Sequence, residues 1–264
     1  MSRVLVTGGS GMIGAATALA LAAAGYNVTT LDMTATGPLP AHVRCDVRDL
    51  HGLLDALKDV DDVVHCGGLA SDRTGHEDET FSVNVAGTCT LLQAAVQAGI
   101  RRVVYMSSIN ALGCVGPGRP EYLPVDDDHP HRPVSAYQMS KHLSEEACRQ
   151  YAHQHGLTVI SLRPCYVIQP GAKDGTRPAG PGRTDLFAYI DLRDVTSAVN
   201  AALAADLEGF HAFLLAAPDP WDGAGTIRAA AEFPDIPRRG ANPSLVDCGR
   251  AHALLGWAAR FSPA

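Results

Sequence analysis

The chain of 264 residues has a formal net charge of −7 and 46% hydrophobic residues, a size and composition typical of one large α/β domain with a modest appendage. Its 21 lysine and arginine residues form no basic stripe, which argues against nucleic acid as a partner. No apolar run approaches the roughly 20 residues of a membrane span, and no charged leader precedes the first strand pattern. We therefore expect a cytoplasmic protein that does not bind membranes.

Cysteine and histidine residues show no pattern of a metal site. The seven cysteines are scattered singly without a Cys-x-x-Cys pair, and several lie in apolar runs, so we interpret them as reduced core residues. The eleven histidines lack the spacing of metal ligands. The sequence predicts no metal.

The first half of the chain alternates short β-branched runs with longer alanine- and leucine-rich stretches, which is typical of a parallel sheet flanked by helices. The predicted strands are 4–7, 27–32, 43–46, 62–65, 102–107 and 158–163. The predicted helices are 12–24, 50–58, 77–98 and 134–155. The sequence therefore predicts an α/β fold with a doubly wound parallel sheet, the Rossmann fold.

The pattern changes after Arg163. Residues 170–185 are rich in glycine and proline and predict a loop, and a later helix over 247–256 has Asp247 as its expected N-cap. We expect residues 1–165 to form the core and residues 166–264 to form a small substrate-binding region, with 185–215 returning to the core.

A glycine-rich turn follows the first predicted strand. Gly8, Gly11 and Gly14 lie between this strand and the helix that begins with Met12 and Ile13. Glycines at this spacing allow a tight turn, close approach of backbone to a pyrophosphate, and tight packing of helix on strand. The motif predicts a dinucleotide site, although a strand-to-helix turn alone would also need glycine.

An acidic residue ends the second predicted strand. Asp32 lies eighteen residues after Gly14, where a carboxylate can accept the hydroxyls of the adenosine ribose. The same carboxylate would repel the additional phosphate of NADP, and Met33 offers no cation. The pattern favours NAD as the cofactor; the alternative is an ordinary turn residue.

Tyr137 and Lys141 are four residues apart on a predicted helix and therefore share a face. A free phenol has a pKa near 10, and an adjacent ammonium favours its ionised form, so the pair can act as a general base. Ser107 and Ser108 follow a buried strand at the edge where such sheets bind ligands. We expect Ser108 to hydrogen-bond the reacting oxygen; two serines alone would more often form a turn.

These motifs together carry a resemblance. The sequence resembles the extended short-chain dehydrogenase/reductases, and more narrowly the NAD-dependent epimerase/dehydratase group, from residue 3 to about 205 and again weakly at 254–257. The segments that carry it are the glycine turn, Asp32, 45–49, 84–88, Ser107-Ser108, 137–141 and 162–164.

The resemblance implies further site residues. Asp46 and Val47 would contact adenine, and Asn84 would brace the helix and belong to the cofactor site. Tyr137 and Lys141 would contact the cofactor as well as the substrate. The other implied cofactor contacts are Cys66, Gly67, Gly68, Leu69, Ser107, Pro164 and Cys165. The resemblance also implies a homodimer that pairs through the helices near 77–98 and 134–155.

The sequence departs from the family pattern after the Arg163-Pro164 strand. Larger members place a substantial substrate subdomain there, whereas this chain has only the glycine- and proline-rich loop. It is similar in length to the uronate dehydrogenases, which favours a small sugar or sugar acid as substrate.

Three functions remain open on the sequence alone. The first is an NAD-dependent dehydrogenase of a hydroxyl-bearing carbon. The second is a sugar-nucleotide epimerase or dehydratase that retains its NAD, and the third is a non-catalytic dinucleotide-sensing protein, which would usually lack the Tyr-Lys pair.

Three arginines are candidate ligands of an anionic substrate. Arg177 and Arg183 lie on the glycine- and proline-rich loop, and Arg163 lies near the same predicted edge, so together they could clamp a carboxylate or phosphate. The alternative is a solvated loop with exposed cations.

Overall fold

Seven parallel strands form the central sheet of the computed structural model, which describes residues 1–35, 37, 40–70, 75–171, 181–221, 231–240 and 245–261. Their spatial order is β3-β2-β1-β4-β5-β6-β9, and β7 pairs with β8 in a separate two-stranded sheet. The strands are β1 Arg3–Thr7, β2 Asn27–Asp32, β3 Ala41–Arg44, β4 Asp62–His65, β5 Arg102–Met106, β6 Thr158–Pro164, β7 Tyr166–Ile168, β8 Tyr189–Asp191 and β9 Phe210–Leu215. The predicted doubly wound α/β fold is confirmed.

Helices cover both faces of this sheet. They are α1 Met12–Ala23, α2 Leu50–Ala56, α3 Glu77–Phe81, α4 Gly87–Gln97, α5 Ala136–His155, α6 Leu192–Ala204 and α7 Gly249–Leu255. Side chains of α1 and α6 enter one core cluster, and those of α2, α4 and α5 enter the other. Among the described residues, no helix is long and apolar enough to cross a bilayer.

Strand alternation distributes side chains between the two clusters. On β1, Val4 and Val6 pack under α1 and α6, whereas Leu5 packs on the opposite face. Every residue of β4, β5 and β6 is buried, as expected for parallel strands that helices cover on both sides. Burial of this apolar surface stabilises the fold by roughly 25 cal/mol per Å².

Several element boundaries differ from the sequence-based prediction by one or two residues, among them those of β3 and the final helix, and the helix predicted at 77–98 is divided. β3 covers 41–44 rather than 43–46, because β2 ends at Asp32, which pairs with Arg44. A π turn over Ser82–Ala86 interrupts the helix predicted at 77–98. The final helix begins at Gly249, with Cys248 as its N-cap residue, and the Asp247 carboxylate accepts a hydrogen bond from the Gly249 amide at 2.7 Å.

A third core cluster lies over the carboxyl end of the sheet. It combines residues from 109–125, 186–188, 214–216, 233–236 and 245–246 with Cys165. Backbone hydrogen bonds attach the C-terminal part of the chain to 123–125, including Leu123 N to Pro237 O at 2.9 Å and Asp247 N to Val125 O at 2.8 Å. This cluster forms a small cap beside the strand ends.

Candidate active site

The glycine-rich turn after β1 lies against the segment that follows β4. Gly8 has a φ of +67°, and a Cβ atom there would lie 2.6 Å from the Cys66 carbonyl. A Cβ at Gly14 would lie 2.1 Å from the Gly8 oxygen. Both positions therefore require glycine. The resulting turn, at the N-terminus of α1, is open to a pyrophosphate and fits a dinucleotide.

Asp32 fastens this turn and lines the same cleft. Its Oδ2 accepts a hydrogen bond from the Ser10 amide at 3.1 Å. The cleft is also lined by Gly8, Gly11, Met33, Asp46, Val47, Cys66, Gly67, Gly68 and Leu69, so it brings together half of the cofactor contacts expected from the sequence.

Asp46 is paired across the cleft wall. Arg48 donates from Nε to Oδ1 at 2.9 Å and from Nη2 to Oδ2 at 2.6 Å, and its Nη1 donates to Ser82 Oγ at 2.9 Å. The hydrogen bonds from Arg48 lower the pKa of Asp46. Arg48 therefore holds the end of β3 against the π turn.

A buried histidine at the end of β4 links the segment that follows β4 to its neighbours. His65 Nδ1 lies 2.6 Å from Thr7 Oγ1, which also accepts the Gly67 amide at 3.2 Å, and His65 Nε2 lies 3.1 Å from Thr88 Oγ1. Burial, with a smaller effect of Lys141, lowers the pKa of His65 to about 3. The neutral ring can therefore accept at one nitrogen and donate at the other, which connects β1, the 66–69 segment and α4.

Asn84 lies in the π turn and joins the 66–69 segment to α5. Its Oδ1 accepts the Leu69 amide at 2.7 Å, and its Nδ2 donates to Leu69 O at 3.1 Å and to Ser140 Oγ at 2.9 Å. A Cβ atom at Gly68 would lie 3.0 Å from Asn84 Oδ1, so a small residue suits that position. The side chain is 1% exposed, and all these bonds are internal.

Ser108 and Tyr137 line one cavity at the carboxyl ends of β5 and β6. Ser108 Oγ accepts hydrogen bonds from the amide and the side-chain nitrogen of Asn110, both at 3.2 Å, so its own hydrogen can be donated to a ligand. The cavity is lined by Met12, Ile13, Ala70, Ser107, Ser108, Ile109, Asn110, Val115, Tyr137, Pro164, Cys165, Tyr166, Val167 and Asp185.

Lys141 lies one helical turn after Tyr137 and is almost wholly buried. Its Nζ donates to Met106 O at 2.9 Å, and a Cβ at Gly68 would lie 3.8 Å from this nitrogen. Burial lowers the pKa of Lys141 to about 8, against weaker opposing effects of Cys66, Glu145 and Cys148. The ammonium is therefore near its titration range at neutral pH.

Gln138 braces the wall of the cavity next to Tyr137. Its Nε2 donates to Val115 O at 2.8 Å and to Asn110 Oδ1 at 3.3 Å, and the side chain is fully buried. Sequence reasoning missed Asn110, Val115, Tyr166 and Asp185 as cavity residues. Asn110 stands two residues after Ser108, a spacing that could have indicated it, but no sequence signal places Asp185.

Arg163 is not placed in this cavity, which corrects the expectation that it contacts substrate. Strand alternation turns it toward α5, away from the strand-end cavity. Its Nε and Nη2 contact the Glu145 carboxylate at 2.9 and 2.7 Å, and Nη1 donates to Asp127 O at 3.2 Å. Arg163 is 1% exposed and serves a buried ion pair.

Arg183 is also directed elsewhere. Its Nε and Nη2 donate to Glu232 O at 3.2 and 3.1 Å, and its guanidinium stacks on Phe233 with 4.9 Å between the carbon and the ring centre. The structure thus gives Arg183 a protein partner outside the cavity. Arg177, the third arginine of the expected clamp, lies outside the described residues. Within the described part of the chain, no cluster of histidine, cysteine or acidic residues could hold a metal ion.

The family of the chain follows from comparison with known proteins. Residues 4–191 match the model of the NAD dependent epimerase/dehydratase family. The chain belongs to this family, which confirms the resemblance seen in the sequence.

Relatives named as epimerases and relatives named as dehydrogenases both match the chain. A putative UDP-glucose 4-epimerase of Methanocaldococcus jannaschii is 34% identical over 61% of this chain, and the match spans only 54% of that protein. A uronate dehydrogenase of Pseudomonas putida is 24% identical over 97% of both chains. A solved short-chain dehydrogenase/reductase superfamily protein of Agrobacterium tumefaciens, with bound NAD, has a TM-score of 0.80 at 26% identity, covering 98% of this chain and 93% of that chain.

Proposed function

We propose that this chain is an NAD-dependent oxidoreductase that transfers hydride between NAD and a hydroxyl-bearing carbon of a small sugar-like substrate. One observation carries the proposal: a single cavity joins Ser108 and Tyr137 to the start of α1 and to Pro164 and Cys165 at the end of β6. Lys141 is buried one helical turn after Tyr137, where its Nζ donates to Met106 O. Two of its lining residues, Met12 and Ala70, directly follow Gly11 and Leu69 of the glycine cleft in the sequence.

The residues present fit NAD. The Gly8–Gly14 turn would hold the pyrophosphate, Asp32 the adenosine ribose, and Asp46 and Val47 the adenine. The segment 66–69 would line the phosphates and ribose, and Ser107, Pro164 and Cys165 would lie beside the nicotinamide. When bound, NAD supplies the acceptor or donor of hydride.

The proton chemistry belongs to the protein side chains. Ser108 donates a hydrogen bond to the substrate oxygen, and Tyr137 takes the proton of the reacting hydroxyl at its phenol oxygen. The ammonium of Lys141, one turn away on α5, favours the ionised phenol through charge attraction. Reversal of the same steps would protonate a carbonyl oxygen during reduction.

A dehydrogenase is favoured over an epimerase. Coverage does not separate the two, since a uronate dehydrogenase matches at 24% identity over 97% of this chain and a UDP-glucose 4-epimerase of Corynebacterium glutamicum at 26% identity over 97%. The dehydrogenase is preferred because this sequence has only a glycine- and proline-rich stretch where larger family members place a substrate subdomain. The epimerase stays the second candidate, because the family includes such enzymes and the same three side chains would serve it. A purely dinucleotide-sensing role is disfavoured, because Ser108 and Tyr137 line one cavity and the sequence keeps Lys141 one helical turn after Tyr137.

One assay distinguishes the candidates. Purified protein is incubated with NAD and a panel of free sugars, uronates and sugar nucleotides, while nicotinamide absorbance and the identity of the sugar are both followed. A dehydrogenase accumulates NADH with an oxidised sugar. An epimerase changes the sugar without net NADH, and a sensing protein changes neither while still binding NAD; either result would contradict the proposal.

The proposal extends to the domain organisation, the oligomeric state and the cellular location of the protein. We propose a core of 1–165 with a reduced substrate-binding region in 166–264, and a homodimer that pairs through α4 and α5, whose outer faces carry exposed residues such as Met139 and Leu143. A cytoplasmic location is supported by the seven cysteines, all unpaired in the structure. Sedimentation of the purified protein tests the dimer.

A further inference from the structure

One charged side chain lines the substrate cavity in the part of the chain that the structure describes. Among the described residues that line it, Asp185 is the only charged group, and none is an arginine, lysine or histidine. The other polar groups facing the cavity are hydroxyls and the amide of Asn110. A ligand in this cavity therefore meets one carboxylate and no described cation.

The backbone around Asp185 is firmly held. Gly116 N donates to Thr184 O at 2.8 Å, which ties the turn at 183–185 to the segment after Val115, another residue of the cavity wall. Leu186 and Phe187 both have left-handed backbone, with φ of 57° and 51°, and Leu186 is buried in the cap cluster. Such conformations are costly for residues other than glycine and persist only where surrounding contacts impose them. The turn therefore fixes the position of Asp185.

The carboxylate itself keeps hydrogen-bonding capacity. Its Oδ2 accepts two long bonds of 3.4 Å, from Gly182 N and Thr184 Oγ1, and no described residue donates to Oδ1. Asp185 lines the same cavity as Cys165, the residue after β6, and its charge adds to the rise in the pKa of Cys165 that burial and two other thiols cause. An ionised carboxylate can accept several more hydrogen bonds.

The neighbouring cation does not neutralise this charge for a ligand. Arg183, two residues earlier, is turned to Glu232 O and Phe233 and does not line the cavity. A ligand carboxylate or phosphate near Asp185 would therefore not be paired with Arg183. Hydroxyl groups, in contrast, would donate to Asp185 through strong charge-assisted hydrogen bonds.

We propose that Asp185 is the specificity-determining residue of this site, accepting hydrogen bonds from hydroxyls of an uncharged sugar and excluding substrates that carry a carboxylate or phosphate. The inference rests on the proposed oxidoreductase function and narrows its substrate class. It predicts that an aldose is preferred to the uronate of the same configuration, since the two differ only at the terminal carbon.

The test compares matched probe pairs, D-glucose with D-glucuronate and D-galactose with D-galacturonate. Wild type, Asp185→Asn and the control Asp206→Asn, an exposed carboxylate beyond α6, are assayed with NAD for kcat/KM on each probe. Asn keeps an oxygen that can accept from Gly182 N, so the turn is retained. We expect Asp185→Asn to lower kcat/KM for the aldose by about 10- to 100-fold, the usual worth of a hydrogen bond to a charged group. In Asp185→Asn the ratio of kcat/KM for the aldose to kcat/KM for the uronate should fall at least about tenfold. In Asp206→Asn this ratio should stay at the wild-type value.

A binding measurement separates this inference from the proposed function. The rise in Tm caused by each probe is recorded on the NAD-saturated Tyr137→Phe protein, with and without Asp185→Asn. Two results would overturn the role of Asp185 while leaving the dehydrogenase standing. In the first, a sugar is turned over but Asp185→Asn leaves the ratio of kcat/KM for the aldose to kcat/KM for the uronate unchanged. In the second, the wild type prefers the uronate. Selective stabilisation by the aldose without any turnover in wild type overturns the dehydrogenase and leaves the role of Asp185 standing. Equal stabilisation by both probes overturns the role of Asp185.

Discussion

Lys141 Nζ donates a hydrogen bond to Met106 O at 2.9 Å, which ties α5 to the last residue of β5. The two residues that follow Met106 are Ser107 and Ser108, so this bond fixes the spacing between the lysine and the serine of the proposed reaction centre. The ammonium is thereby held in a desolvated position, where its charge acts strongly on nearby groups.

The titration of Lys141 predicts an alkaline limit to activity. Burial lowers the pKa of Lys141 to about 8 from 10.5, so the ammonium that favours the Tyr137 phenolate is lost above pH 8. We expect kcat/KM to fall above about pH 8, as measured from a pH profile of initial rates. Lys141→Arg keeps a cation at all these pH values, so any activity it retains should lack this limb. A wild-type profile that rises steadily to pH 10 would rule out the charge of Lys141 as the cause.

The same shift affects stability. The unfolded chain binds this proton up to about pH 10.5, whereas the folded chain releases it near pH 8. The unfolded state holds more protons than the folded state between these two pH values. The contribution of Lys141 to the free energy of unfolding therefore increases, which makes the fold more stable, as pH rises from about 8 to 10.5. Urea titrations of wild type and Lys141→Met measure it, because the variant lacks the group.

Tyr137→Phe removes the proposed base while keeping the ring. We expect turnover to fall on the order of 100-fold or more, the usual contribution of a general base, while NAD affinity changes little. Tyr166→Phe is the matched control, because Tyr166 lines the same cavity and should leave turnover nearly intact. Initial rates and NAD binding by intrinsic fluorescence measure both effects. Equal losses in the two variants would point to the cavity shape rather than to a phenol acting as a base.

Asp32→Asn is expected to weaken the preference for NAD over NADP. The amide oxygen can still accept from Ser10 N, so the glycine turn is kept, but the negative charge that would repel a 2′-phosphate is removed. The ratio of dissociation constants for NADP and NAD should fall about tenfold or more, while Asp206→Asn leaves it unchanged. Calorimetric titration with each dinucleotide gives the ratio, and an unaltered ratio would remove Asp32 from the ribose site.

Arg163 and Glu145 form a buried pair whose role is structural. Arg163→Met leaves the Glu145 carboxylate buried without its cation, and we expect a loss of about 3–5 kcal/mol in the free energy of unfolding. Arg163 lowers the pKa of Glu145 even though burial alone would raise it. Replacing both residues, Arg163→Met with Glu145→Leu, should recover at least half of the loss, as measured by urea unfolding. A rise in substrate KM with unchanged stability would instead restore Arg163 as a ligand.

Local rules predicted the parts of the site that depend on short spacings. Tyr137 and Lys141 share a helical face because they are four residues apart, and Gly8 and Gly14 must be glycines because backbone occupies the space of a side chain. The parallel sheet followed from apolar runs that both helical layers bury. These features depend on residues close together in the chain.

Other parts depended on contacts between distant segments. Asp185 reaches the cavity only because Leu186 and Phe187 take left-handed backbone and Gly116 holds Thr184, and no periodicity signals this. The π turn at Asn84 is satisfied by Leu69 and Ser140, which lie 15 and 56 residues away. The direction of Arg163 could have been predicted from the sequence. Neighbouring residues of a strand point to opposite faces of the sheet, so an apolar Leu162 under α1 and α6 places Arg163 on the face of α5.

The single extra residue in the turn at Ser82–Ala86 also has a bearing on any effort to redesign this protein. Each residue of a regular helix advances about 100° around the axis, so removing one residue here would swing every later side chain of α4 out of phase with its neighbours. The Asn84 amide would leave Leu69, and the apolar stripe of α4 would turn from the sheet toward water. A length change of one residue at this point is thus far more damaging than a substitution, and a scaffold borrowed from this chain must preserve the count between Phe81 and Gly87.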